Sequence, residues 1–143
     1  MKYAMNEGTM EVPGMMDDKS INFFVVKEPQ TGDEMSFVIT RCALAPGETL
    51  EVSVSRQLSA MSRQLRGFAE QKRYEITVGD PPVGGVGIDA QHTQGGVKIN
   101  QVMAVFPVDE KNMLIYALSG KRPFDQAHRQ YWEQILASYR PAE

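Results

Sequence analysis

The sequence predicts an α+β fold built on a curved antiparallel sheet. Apolar residues recur at helical spacing in only two stretches, and the remaining apolar runs are short, rich in β-branched and aromatic residues and separated by Gly, Pro, Asn and Asp clusters. No regular β-α alternation is present, so a parallel sheet with crossover helices is not expected. At 143 residues the chain is long enough for one core and too short for two ordinary domains, which makes 1–143 a single domain.

Taken in order, Tyr3 to Val12 reads as strand material around an Asn6-Glu7-Gly8 turn, closed by Pro13-Gly14. Ser20 to Val26 and Met35 to Arg41, joined by the polar stretch Pro29 to Glu34, read as a β-hairpin. After Pro46-Gly47, Leu50, Val54, Leu58, Met61, Leu65 and Phe68 recur at steps of four and three. That spacing predicts an amphipathic helix whose end suits Gly67. Tyr74 to Val78, Val86 to His92, Val97 to Val108 and Met113 to Leu118 are predicted strands, the last three forming a meander. Asp125 is a predicted N-cap for a closing helix that docks through Tyr131, Trp132, Ile135, Leu136 and Tyr139 and stops before Pro141.

Several strands are apolar on both faces, for example Ile21, Phe23 and Val25 against Phe24 and Val26. Both sides of such a sheet require cover, and two helices are few for the task. Either an apolar face is left as an interaction surface, or the sheet curls over itself. Two glutamines interrupt these apolar patterns: Gln57 at the edge of the helical stripe, and Gln101 between Ile99 and Met103. A buried amide without partners costs about 1–3 kcal/mol, so each glutamine is either bonded internally, the two to each other included, or awaits a partner.

Composition narrows the function classes. With 42% hydrophobic and 23% charged residues and a net charge of −3, the chain is that of a soluble globular protein. Its Lys and Arg residues are scattered, with no basic stripe for nucleic acid. The opening residues lack the apolar run of a signal peptide, and no segment approaches the roughly 18 apolar residues that span a bilayer, so a cytoplasmic protein without direct membrane insertion is expected. Cys42 is alone and reads as a buried, inert thiol. Most of the nine methionines read as core filler.

Candidate chemistry is sparse. His92 and His128 belong to no metal-spaced cluster and read as surface residues. Gly84-Gly85-Val86-Gly87 lacks phosphate-loop spacing and reads as a tight turn. The acidic pairs Asp17-Asp18, Asp33-Glu34 and Asp109-Glu110 read as solvated turn residues. No catalytic residue, metal site or cofactor is assigned. A glutamine side chain, with two donors and one acceptor oxygen, suits recognition of a bound peptide better than bond making.

Ser20-Ile21-Asn22-Phe23 after an acidic turn, then Ser36-Phe37-Val38-Ile39-Thr40-Arg41, Arg56-Gln57-Leu58 on the helix and Gln101 ahead of an apolar strand resemble the Eag chaperones of bacterial type VI secretion, a branch of the DcrB-like group. The likeness covers nearly the whole chain in order and spacing. It implies a DcrB-like fold, resembling the Mog1/PsbP-like fold, in a cytoplasmic homodimer whose curved sheets form an apolar groove. In that family the groove holds N-terminal transmembrane helices of a secreted toxin of the Rhs or PAAR-bearing type until the effector is loaded on the secretion spike. Carried over by position, Ile21, Phe23, Val38, Met61, Leu65, Val97 and Ile99 would line the groove, and Gln57 and Gln101 would bond polar groups of the guest. Met15 and Met16 stand where the family often has a tryptophan or another large residue, and Met61 stands where a smaller one is expected.

The leading expectation is therefore a non-enzymatic effector chaperone. A second class is a small-molecule-binding or enzymatic α+β domain whose apolar pocket uses Asp89 and His92 as polar groups. A DcrB-like envelope protein and an interaction module for another soluble protein are further readings.

Overall fold

The computed structural model describes residues 2–5, 7–14 and 19–141. Among these, β1 (Lys2–Met5) and β2 (Gly8–Glu11) form a separate hairpin. They are followed by β3 (Ile21–Lys27), β4 (Glu34–Ala43), α1 (Leu50–Gln64), β5 (Ala69–Val78), β6 (Val83–Gln94), β7 (Val97–Pro107), β8 (Asn112–Gly120) and α2 (Gln126–Ala137). Six strands build one curved antiparallel sheet in the order β3-β4-β8-β7-β6-β5. The expected α+β class and meander are present, and the meander extends over four strands because β5 pairs with β6. Met15, Met16, Asp17 and Asp18 lie outside the described residues.

The chain leaves β4 near one edge of the sheet and re-enters as β5 at the other, so α1 crosses one face; α2 follows β8 and packs on the opposite face. Because strand side chains alternate, the sheet carries two separate cores. Under α2, Phe106 meets Tyr116 edge-on with ring centroids 5.1 Å apart and Tyr139 at 5.0 Å, while Trp132 and Leu136 close over Val102, Ala104 and Leu118. Under α1, Val54 and Leu58 pack on Val86, Ile88, Met103, Val105 and Met113.

Helix α1 starts where the Thr49 hydroxyl accepts the Val52 N–H. It ends earlier than the periodicity predicts, because Leu65 is already extended, Gly67 turns the chain with φ +67° and the Arg66 carbonyl accepts the Thr93 N–H at 2.7 Å. Leu65 and Phe68 are therefore beyond the helix, although Phe68 still packs under α1. Asp125 caps α2 as expected: its carboxylate accepts the His128 N–H, and its own N–H donates to His128 Nδ1 at 3.1 Å.

Four local expectations are corrected. Gly84, Gly85 and Gly87 lie inside β6 rather than in a turn. A Cβ on Gly85 would sit 2.6 Å from the Val105 carbonyl oxygen, and one on Gly87 would run into the Tyr74 ring, so close packing requires glycine there. Both histidines are buried, His92 at 7% and His128 at 3% exposure. His128 is held by Asp33, whose carboxylate lies 2.9 Å from Nε2 and also takes Arg122 at 3.0 Å, so Asp33 is an ion-pair partner rather than a free solvated acid. Cys42 is half-buried rather than fully enclosed, and burial pushes its thiol up.

Candidate binding face

The register fixes what shares the α1-side face. One row across the sheet runs Phe23, Val38, Ala117, Met103, Ile88; the next runs Val25, Ser36, Ser119, Gln101, Ala90. A third runs Ile21, Thr40, Ile115, Val105, Val86. Helix α1 lies over β6 and β7 and reaches Met113 of β8. It does not reach β3, where Ile21, Phe23 and Val25 remain 64%, 63% and 62% exposed.

Every residue carried over by the resemblance lies on this side of the sheet or on the segment that crosses it. Ile21 and Phe23 are on the open edge strand, and Val38 is half-buried directly between Phe23 and Ala117. Gln57 and Met61 are half-buried on α1, and Leu65 is half-buried just past its end. On β7, Val97 is exposed, Ile99 is buried opposite His92, and Gln101 is half-buried between Ser119 and Ala90. Val25 belongs to the same open strip; its period-two spacing from Phe23 is the sequence signal for it.

The two glutamines are not bonded to each other. Gln57 donates to the Ser53 hydroxyl one helical turn back at 3.3 Å and lies 3.9 Å from Met113 Sδ. Gln101 Oε1 is buried and has no hydrogen-bond partner, and the same is true of His92 Nδ1. Burial pushes the His92 imidazole below its ordinary value, favouring the neutral ring.

The opposite face offers different chemistry. Arg129 of α2 grips Asp89 of β6 with two nitrogens at 2.7 and 3.0 Å, and the Tyr74 hydroxyl donates to the same carboxylate at 2.8 Å. Burial and the Asp89 hydrogen bond push Tyr74 up to about 12. These groups border an open cavity of about 410 Å³ in which the Arg129 and Asp89 charges are paired with each other. Asp89 faces α2 whereas His92 faces α1, so the pocket expected to combine them does not form; in a strand, residues three apart point to opposite sides. Among the described residues no cluster of His, Cys, Asp and Glu is arranged to hold a metal ion. No described helix is long and apolar enough to cross a membrane.

Comparison with known proteins places this geometry in context. The DcrB family model matches residues 7–138. A Pseudomonas aeruginosa protein named Effector EagT6 is 36% identical over 76 residues, which are 53% of this chain and 53% of that protein. The match thus spans about half the length of that curated relative. A crystal structure of PA94, a Pseudomonas aeruginosa protein of unknown function, superposes with a TM-score of 0.80 at 26% identity, covering 100% of this chain and 97% of that one.

Proposed function

Because the chain belongs to the DcrB family and leaves an apolar sheet face open, we propose that it is a type VI secretion effector chaperone. It binds and shields N-terminal transmembrane helices of a Rhs or PAAR-type toxin in the cytoplasm, before the effector is loaded on the secretion spike. The observation that carries this reading is the strip Ile21, Phe23 and Val25, each more than 60% exposed on one side of one strand. Three large apolar side chains in that position add almost nothing to folding, yet each can contribute about 1.5–3 kcal/mol once covered. Similarity to EagT6 over half the chain supports an effector as the partner.

A helix laid on this strip would meet Val38 beside it, with Gln57, Met61 and Leu65 on the α1 side and Val97, Ile99 and Gln101 on β7. Within an apolar trough, the glutamine amides would orient the guest through hydrogen bonds. Since β3 is also the edge strand of the sheet among the described residues, two copies would extend the trough in a homodimer. No bond-making step and no cofactor enter this reading.

Co-expression with an effector fragment bearing the apolar N-terminal helices tests it: the fragment should co-purify in soluble form, and light scattering should give the mass of two chaperone chains with it. A fragment that stays soluble without the chain would sink the proposal.

A further inference from the structure

Among the described residues the large sheet has two edge strands, β3 and β5, and they are unlike: β3 is largely apolar, whereas β5 is mostly polar. The first half of β5 is guarded against further pairing by a bulge between Glu70 and Lys72 and by Arg73, which Glu70, Glu51 and Ser55 hold on the α1 side. From Lys72 to Val78 the register with β6 is regular and no proline interrupts it. Among the described residues no protein group bonds the outer backbone edge of that stretch, which is as long as an ordinary strand.

Beside this edge the α2 face is open. Gly85 and Gly87 of β6 carry no side chain, so Tyr74 and Ile76 lie down across β6 instead of standing up toward α2; a Cβ on Gly87 would run into both. The Tyr74 hydroxyl reaches Asp89, which Arg129 holds from α2. What remains is the cavity of about 410 Å³ between β5 and α2. Lys72 and the Asp89–Arg129 pair form its polar end, and Ile76, Trp132 and Leu136 form its apolar walls. Lys72 lies 5.6 Å over the Tyr74 ring and, among the described residues, has no carboxylate bonded to it.

An open edge beside a cavity is the geometry by which a sheet takes up an extended peptide: main-chain bonds give affinity, and alternate side chains enter the cavity. We propose that β5 binds an extended segment of a partner polypeptide as a seventh strand beside the six. An acidic side chain of that segment stands opposite Lys72 and a large apolar one opposite Ile76, four residues apart on one face. Opposite charges attract directly across a strand pair, and the acid complements the cation that lacks a carboxylate. The site is independent of the guest strip, which lies at the other edge and on the other face of the sheet.

The experiment uses the full chain and fluorescent peptides of about nine residues, with Glu and Leu four apart in a Thr background. Both orders of the two residues are made, one for each strand direction. In fluorescence anisotropy the better order should bind about tenfold more tightly than a peptide with Glu and Leu three apart, which puts them on opposite faces. N-methylation of two successive central amides, one of which faces β5, should cost about tenfold. Lys72 is exposed, so Lys72→Glu keeps the fold; it should weaken the Glu peptide about fivefold and restore binding to a peptide with Lys in that place. Amide hydrogen exchange should slow over Tyr74 to Val78 when peptide is added, and Phe23→Asp should bind the peptide as wild type does. No binding, equal binding of the matched and three-apart peptides, or binding without slower exchange overturns the proposal. So does loss of the peptide in Phe23→Asp, which places it on the guest strip. Edge amides protected in the free chain and released on dilution give β5 to a second copy and overturn it as well.

Discussion

The two faces of the sheet are covered by one helix each, yet they differ near the edge strand, where Phe24 on the α2 side is 42% exposed and Ile21, Phe23 and Val25 on the α1 side are each more than 60% exposed. On the α2 side the rings of Phe37, Tyr116, Phe106 and Tyr139 form a continuous chain of contacts at 5.0 to 5.3 Å, and Phe24 of β3 stacks onto its end at 6.1 Å. Large aromatic side chains carry the apolar cover outward beyond the helix itself. On the α1 side the residues next to β3 are Ser36, Val38 and Thr40, all too short to bridge the gap. The difference lies in side-chain size along β4 rather than in helix length. It leaves the α2 face largely covered out to β3 and the α1 face with a wider exposed apolar strip.

The sharpest way to break this contrast is to substitute one large residue on each side. Phe23→Asp should abolish retention of an apolar helical guest in a pull-down, while urea unfolding shifts by no more than about 0.5 kcal/mol, because the side chain is already in water. Trp132→Ala should do the reverse, costing about 3–5 kcal/mol in urea unfolding while the molecules that remain folded still retain the guest. If Phe23→Asp unfolds the protein, the open strip is part of the core and the comparison fails.

The sequence foreshadowed this asymmetry only in part. Both helices, the hairpins and the Asp125 cap depend on local spacing and capping chemistry, which neighbouring residues reveal. Gln57 and Gln101 stood out because each breaks an apolar period. The partner of Gln57 was within reach of local reasoning, since Ser53 is one helical turn away. The lack of a partner at Gln101, and its diagonal relation to His92, depend on the pairing of β6 with β7 and on what lies above them. His128 and Asp33 are 95 residues apart and meet only through the tertiary fold. The first half of β5 is not legible in the sequence because Glu70, Gln71, Lys72 and Arg73 show no apolar alternation; backbone pairing with β6 makes this stretch a strand. The glycines of β6 suggest a turn until the Tyr74 ring and the Val105 carbonyl are seen beside them.

A smaller effect distinguishes the faces electrostatically. Burial of Asp89 opposes its ionisation, but hydrogen bonds from Arg129 and Tyr74 override that and lower its pKa. The unfolded chain holds this proton up to about pH 3.9, so the pair stabilises the fold above that value and its contribution is lost as pH falls through the lower folded value. With the Arg129 side chain 40% exposed, solvent screening reduces the interaction, and Asp89→Asn should cost about 1–2 kcal/mol near neutrality. Wild type and variant should converge in acid titrations followed by circular dichroism. Guest retention should be unchanged, because Asp89 faces α2.

The smallest predicted effect separates the presence of α1 from its role as one wall of the open face. The Thr49 hydroxyl satisfies one N–H of the first turn at an exposed site, so Thr49→Ala should cost about 1 kcal/mol by frayed helix initiation. That turn carries Leu50 and Val52, whereas Gln57 and Met61 lie two to three turns further along. Fraying dies out within the first turn, and Val54 and Leu58 still anchor the middle of the helix to Ile88 and Met103. Guest affinity should therefore stay within about twofold of wild type while unfolding shifts by the cap energy. A larger loss of affinity would mean that the start of α1 itself touches the guest, moving the site from the end of the helix near β7 toward the Met113 end of the sheet.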